Sequence, residues 1–129
     1  MEKKHIFLIE NNESAQRLFT DALEESKIDF LCSLARNTEQ ALKMLKNIVP
    51  DIIFVDAHLP TISNQFVKTI KTIHDSHNIP MVFYSTLPQQ PSVAANEVNA
   101  EYFLLLPRNL HAMTHILKNI ITDLHSQYS

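Results

Sequence analysis

Four short segments of the chain consist almost entirely of apolar residues, many of them β-branched or aromatic. This pattern is typical of strands that are buried on both faces of a sheet. A fifth segment, 28–35, is more mixed, and we expect it to lie nearer an edge of the sheet. The four apolar segments are 4–10, 51–55, 79–85 and 101–106.

The regions between these segments carry apolar residues at helical spacing. The helix after Asn37 has a capping-box pattern completed by Gln40, and it is expected to end before Pro50. The last helix has the clearest apolar stripe, whereas the helix before it is short and its apolar pattern is weak. The five predicted helices cover 13–27, 37–49, 66–73, 91–98 and 110–124.

Strands and helices therefore alternate five times along the chain. Parallel strands joined by right-handed helical crossovers are the expected result, with two helices on one face of the sheet and three on the other. The sequence predicts an α/β fold with a doubly wound, parallel, five-stranded (βα)5 sheet. A single domain is expected to fill residues 1–129.

Composition narrows the possible functions. A length of 129 residues fits one compact domain, and 45% apolar residues can supply its core. A net charge of −3 argues against direct binding of nucleic acid, and no apolar run approaches the roughly 20 residues of a membrane span. Cys32 is the only cysteine, so a reducing cytoplasm is the expected location. Because the chain has no glycine, asparagine is the expected substitute wherever the backbone must be left-handed.

Polar residues gather where the predicted strands end. In open α/β sheets, ligands bind outside the carboxyl ends of the strands. An aspartate, a second acid with amides and a hydroxyl are therefore expected to meet in one small area. The residues at these four strand ends are Glu10, Asn11 and Asn12, then Asp56, Ala57 and His58, then Ser85 and Thr86, then Leu106 and Pro107.

These residues, on strands in this order, resemble the receiver domains of two-component response regulators, and the resemblance covers the whole chain. The stretch "FVDAHLP" fits the family's phosphorylation motif, which implies that Asp56 is the phospho-acceptor. The stretch "MVFYST" implies that Ser85 is the switch hydroxyl. "AEYFLLLP" aligns Pro107 with the family's proline and Phe103 with its aromatic switch position. The resemblance implies the flavodoxin-like receiver fold.

Two departures from the family pattern bear on the chemistry. The family's acidic pair is here Glu10 and Asn11, and its lysine position holds Leu106. A third difference is structural: Asn64 stands where the family usually has a glycine after the phosphorylation motif, which implies left-handed backbone at Asn64. In the family, Mg2+ bridges the acids and the phosphoryl oxygens, and the lysine holds another oxygen. The resemblance therefore implies at most a weak Mg2+ site, made by Glu10, Asn11, Asp56 and the backbone carbonyl of His58, and no other cofactor.

The resemblance implies a signalling module rather than an enzyme, with at most self-catalysed phosphorylation of its aspartate. We expect phosphorylation by a sensor histidine kinase or a phosphotransfer protein to be weak or lost, and output to pass through protein–protein contacts. In the family, the surface for a protein partner or a homodimer is commonly formed by the fourth helix, the fifth strand and the fifth helix.

A fully phosphorylatable single-domain response regulator is the main alternative. Two alternatives of another class have less support. A phosphatase of the haloacid dehalogenase type would carry a second aspartate two residues after its nucleophile, where this chain has His58. A flavin binder needs a phosphate-cradling loop after the first strand, whereas "ENNES" has no glycine and carries acids that repel phosphate.

Overall fold

A computed structural model describes residues 3–59, 62–73, 79–85 and 102–128. The predicted helix at 91–98 lies outside these residues. No helix in the described part of the chain is long and apolar enough to cross a membrane. The described elements follow the predicted order: β1 (Lys4–Ile9), α1 (Glu13–Glu25), β2 (Phe30–Ala35), α2 (Thr38–Leu45), β3 (Ile52–Asp56), α3 (Asn64–Ile73), β4 (Met81–Ser85), β5 (Tyr102–Leu105) and α4 (Leu110–Tyr128).

The five strands form one parallel sheet in the order β2, β1, β3, β4, β5. β2 lies at one edge, as its mixed sequence predicted. The chain adds β2 on one side of β1 and adds β3, β4 and β5 on the other, so the direction of winding reverses at β1 and β3. This reversal leaves a crevice at the carboxyl ends of these two strands, the usual place for a ligand in such sheets. The predicted doubly wound parallel fold is confirmed.

Alternating residues of the strands bury two apolar clusters on opposite faces of the sheet. In β1, Ile6 and Leu8 pack with residues of α1 and α4, whereas Phe7 packs with residues of α2 and α3. On the α1–α4 side, Phe19 and Phe54 meet edge to face, with their ring centroids 4.9 Å apart. Full burial of a side chain of this kind stabilises a fold by about 1.5–3 kcal/mol, so these clusters hold the helices against the sheet.

Left-handed backbone occurs at Lys27, with φ 64°, and at no other residue that the structure describes. Lys27 follows Ser26, which caps the carboxyl end of α1 with its N–H bonded to the carbonyl of Ala22 at 3.0 Å. The expectation that Asn64 supplies left-handed backbone is wrong, because Asn64 is the first residue of α3. A residue with a β-carbon in this conformation is disfavoured by roughly 1–2 kcal/mol, so α1 ends at an energetic cost.

Candidate functional site

A pocket of about 390 Å³ opens at the carboxyl ends of β1, β3 and β4. Glu10 directly follows β1, and Asp56 is the last residue of the neighbouring strand β3. Both residues line the pocket. Tyr84 and His58 also line the pocket, and its other walls come from α1 and from the region where α4 begins. The pocket therefore coincides with the crevice at the reversal of winding, where the sequence placed the functional site.

Glu10 is buried, with 3% of its surface exposed, and both of its carboxylate oxygens accept hydrogen bonds. The hydroxyl of Tyr84 donates to Oε1 at 2.6 Å, and the backbone N–H of Asn12 donates to Oε2 at 3.1 Å. Burial, and then the nearby charge of Asp56, raise the pKa of Glu10 from 4.5 to about 7, while the Tyr84 hydrogen bond lowers it. Near neutral pH, this carboxyl group is therefore divided between its neutral and charged forms.

Tyr84 is the buried partner of this acid. Burial, and then the charge of Glu10, raise the pKa of the Tyr84 hydroxyl well above its ordinary value. The phenol therefore stays protonated and donates its hydrogen to Glu10. The two side chains come from strands on either side of β3, so their hydrogen bond ties the ends of β1 and β4 together.

The start of α1 fixes the backbone that carries Glu10. Asn12 caps this helix, because its Oδ1 accepts the backbone N–H of Ala15 at 2.9 Å. The side chain of Gln16 donates from Nε2 to the carbonyl of Glu10 at 2.6 Å. Asn11, which the sequence paired with Glu10, is exposed, and Asn12 rather than Asn11 lines the pocket.

The carboxylate of Asp56 caps the turn that follows β3, because its Oδ1 accepts the backbone N–H of His58 at 2.9 Å. The ring of His58 reaches β4, with Nε2 2.8 Å from Oγ of Ser85. Ser85 is 2% exposed, so its hydroxyl is already engaged by the protein. The sequence assigned His58 a role for its backbone carbonyl alone, whereas the structure brings its side chain to the switch position.

Leu106 is 1% exposed and packs in the apolar cluster between α1 and α4. Its backbone N–H donates to the carbonyl of Ser85 at 2.8 Å, so the chain leaves β5 beside the end of β4. This position therefore contributes packing to the core instead of a positive charge to the pocket. Phe103 pairs with Phe83 in the register of β4 and β5, and its side chain lies outside what the structure describes.

Sequence reasoning did not single out Tyr84 or Arg108, which bring a phenol and a cation to the pocket. Tyr84 had a recognisable signal, because a tyrosine in a buried strand needs a partner for its hydroxyl and this one precedes a strand-end residue of the site. Arg108 also lines the pocket, and it is exposed. Its signal was its position two residues after Leu106, at the same edge of the sheet. A cation thus reaches the site from the loop between β5 and α4.

The side chains present do not form a ready Mg2+ site. Mg2+ prefers oxygen ligands in near-octahedral geometry, usually with one or two carboxylates. Both oxygens of Glu10 accept hydrogen bonds from protein donors, Asn11 does not line the pocket, and one oxygen of Asp56 is bonded to the backbone of His58. In the part of the chain that the structure describes, no three His, Cys, Asp or Glu residues gather in a metal-binding arrangement. Of the predicted ligands, the carboxylates of Glu10 and Asp56 therefore line the pocket together, with oxygens already bonded to protein donors, whereas Asn11 lies outside it.

The fold and the site together have the architecture of a receiver: a doubly wound parallel sheet with an aspartate ending β3 and a hydroxyl ending β4. Residues 6–118 match the family described as "Response regulator receiver domain". The chain therefore belongs to this family, whose members act in two-component signal transduction. This membership favours the receiver function over the phosphatase and flavin-binding alternatives.

Similar curated proteins are longer than this chain. The sensory transduction protein LytT of Oceanobacillus iheyensis is 30% identical over 125 residues, which cover 93% of this chain and 50% of LytT. A protein-glutamate methylesterase/protein-glutamine glutaminase of Bacillus subtilis is 24% identical over 105 residues, which cover 79% of this chain and 29% of that protein. The chain thus spans half or less of the length of these relatives.

Solved structures of response regulators share the fold. The phosphorylated cyanobacterial phytochrome response regulator RcpA gives a TM-score of 0.78 at 24% identity, covering 99% of this chain and 98% of that one. The Mn2+-bound form of the response regulator Rcp1 gives a TM-score of 0.73 at 24% identity, covering 98% of this chain and 97% of that one. These likenesses confirm the predicted flavodoxin-like receiver fold.

Proposed function

We propose that this chain is a receiver module in which Asp56 keeps the place of the phospho-acceptor, phosphorylation is weak or lost, and output passes through protein–protein contacts. The state of Glu10 carries the proposal. Its two oxygens accept hydrogen bonds from Tyr84 and Asn12, and burial raises its pKa to about 7. Recruiting this carboxylate to a cation would fix its charge in a buried position and would compete with the two protein donors for its oxygens.

The acceptor chemistry itself remains available to Asp56. A carboxylate oxygen can attack the phosphorus of an acyl phosphate, and the bond from phosphorus to the donor oxygen then breaks, so that the donor leaves as a carboxylate. Negative charge on the phosphoryl oxygens must be stabilised during this step. Leu106 supplies no charge for that purpose and the hydroxyl of Ser85 is held by His58. Both features support slow transfer.

The proposed partners follow from the family and from the surface. A sensor histidine kinase or a phosphotransfer protein is the expected donor where transfer persists. For output, Leu105 at the end of β5 is 67% exposed and Leu110 at the start of α4 is 38% exposed, which supports a protein partner or a second copy on this face. Sedimentation of wild type and Leu105→Asp tests the second copy, and a dimer that survives the substitution would argue against this face.

The deciding experiment is incubation with acetyl phosphate and Mg2+, followed by measurement of the intact mass. A typical receiver in parallel shows that the reagent is active, and Asp56→Asn is the control for the site. We expect little or no phosphate adduct on the wild-type chain. A near-stoichiometric adduct that Asp56→Asn abolishes would contradict the proposal and favour a fully phosphorylatable single-domain response regulator.

A further inference from the structure

We propose that Arg108 is the cation that holds a phosphoryl group, or another phosphate-like anion, beside Asp56, at the position left without a charge by Leu106. The inference rests on the proposed function, because it names the residue that would serve the same pocket.

Arg108 shares a pocket with Asp56. It lies between β5 and α4 and lines the same pocket of about 390 Å³ as Asp56. It is exposed, so a solvent-borne anion can approach its guanidinium group. Leu106, two residues earlier, is buried in the apolar cluster between α1 and α4. Arg108 therefore brings a positive charge to the pocket from a position two residues after the one where the family has a lysine.

The pocket contains acidic side chains besides Arg108. Among the described residues that line it, Arg108 is the single lysine or arginine. Glu10 and Asp56 line the same pocket, so an incoming anion needs a cation that offsets these acids, and the oxygens of Glu10 already accept hydrogen bonds from Tyr84 and Asn12. A guanidinium group has paired N–H donors that match two phosphate oxygens, and such charge-assisted bonds are the strong ones. Arg108 is therefore suited to the ligand that Asp56 would carry.

Other arginines of the described chain do not share this placement. Arg36 is exposed and pairs with Glu13 at 3.2 Å. Arg17 is exposed on α1 and lines a different surface groove, together with Asp21. Arg17→Gln removes the same charge as Arg108→Gln, so it controls for the general effect of net charge on anion binding.

The experiment measures binding without covalent transfer. Wild type, Arg108→Gln, Arg108→Lys and Arg17→Gln are titrated with inorganic phosphate in the absence of metal, and amide resonances are followed by 15N–1H NMR. In wild type we expect saturable shifts centred on the amides of Ala57 and His58. Arg108→Gln should weaken the affinity by roughly ten- to a hundred-fold, the range for hydrogen bonds to a charged group. Arg108→Lys should recover part of the loss, and Arg17→Gln should match wild type.

Two outcomes would overturn the inference: a phosphate affinity of Arg108→Gln equal to that of wild type, or a wild type whose Ala57 and His58 amides do not respond to phosphate. The spectra also show whether each variant is folded, so a loss of structure is not mistaken for a loss of binding. A different result would contradict the proposed function, namely a near-stoichiometric covalent phosphate adduct on Asp56 in the intact-mass measurement. The two failures can therefore be distinguished.

Discussion

Glu10→Gln tests whether a buried, titrating carboxyl group sits beside Asp56. Burial raises the pKa of Glu10 from 4.5 to about 7 in the folded chain. Because the pKa is higher in the folded state, the fold favours the protonated form. The resulting stability is fully present below pH 4.5 and is lost as the pH rises through about 7. Glutamine keeps the shape of the side chain and has no such titration, so the variant should not show this loss.

The magnitude follows from the displacement of the pKa. A rise from 4.5 to about 7 corresponds to roughly 3–4 kcal/mol, at about 1.4 kcal/mol per pKa unit. Little of the surface of Glu10 is exposed, but it lines a pocket that is open to solvent and screens its charge, so we expect about half of this, roughly 1.5–2 kcal/mol. The glutamine amide also loses the hydrogen bond from the backbone N–H of Asn12, at roughly 1 kcal/mol. The glutamine itself does not titrate, so the change with pH in the difference between the two proteins reports the titration of Glu10.

The assay is urea unfolding followed by far-UV circular dichroism at pH 5, 6, 7 and 8. The free energy of unfolding of Glu10→Gln, relative to wild type, should rise by roughly 1.5 kcal/mol between pH 5 and pH 8. Glu24→Gln, on the exposed side of α1, removes the same charge and serves as the control. Tyr84→Phe removes a hydrogen bond that lowers the pKa of Glu10, so its transition should move to higher pH. Parallel pH curves for Glu10→Gln and wild type would refute the reasoning.

Two further predictions concern a side-chain contact and a backbone cost. In a double-mutant cycle, His58→Ala and Ser85→Ala should show a coupling of about 0.5–1.5 kcal/mol in urea unfolding, because their side chains lie 2.8 Å apart; additive losses would mean that the contact does not stabilise the fold. Lys27→Gly should raise the free energy of unfolding by about 0.5–1 kcal/mol, since glycine avoids the steric cost of φ 64° but adds entropy to the unfolded chain. Lys46→Gly is the control, because Lys46 has right-handed backbone and should lose stability; equal effects of the two substitutions would contradict the argument.

Local patterns were enough to predict most of the fold. Continuous apolar runs indicated the buried strands, and apolar residues at helical spacing indicated α1. Both patterns depend only on residues that are close in sequence. The capping interaction of Asn37 was also predicted, and its Oδ1 accepts the backbone N–H of Gln40 at 2.7 Å. The return bond differs, since the side chain of Gln40 accepts from the backbone N–H of Arg36 rather than from that of Asn37. Such details depend on how the chain enters the helix.

The electrostatics of the site could not be predicted in the same way. The protonation of Glu10 depends on Tyr84, which is 74 residues away in sequence, and on the depth to which both are buried. The sequence showed that Leu106 replaces a lysine, but not that Arg108 would line the same pocket. It also placed left-handed backbone at Asn64, whereas Lys27 adopts it where α1 ends.

The two departures from the family pattern act on the same side of the sheet. Glu10 is held by Tyr84, and both Tyr84 and Leu106 belong to the apolar cluster between α1 and α4. On this side the pocket borders the apolar core, where a charge is costly and a neutral, hydrogen-bonded group is favoured. His58 and Arg108 line the pocket from outside the strands, after β3 and β5, and do not belong to this cluster. Restoring a lysine at Leu106 alone would therefore place a charge in this packed cluster without freeing Glu10 from its two donors, so the acid and the leucine have to be considered together.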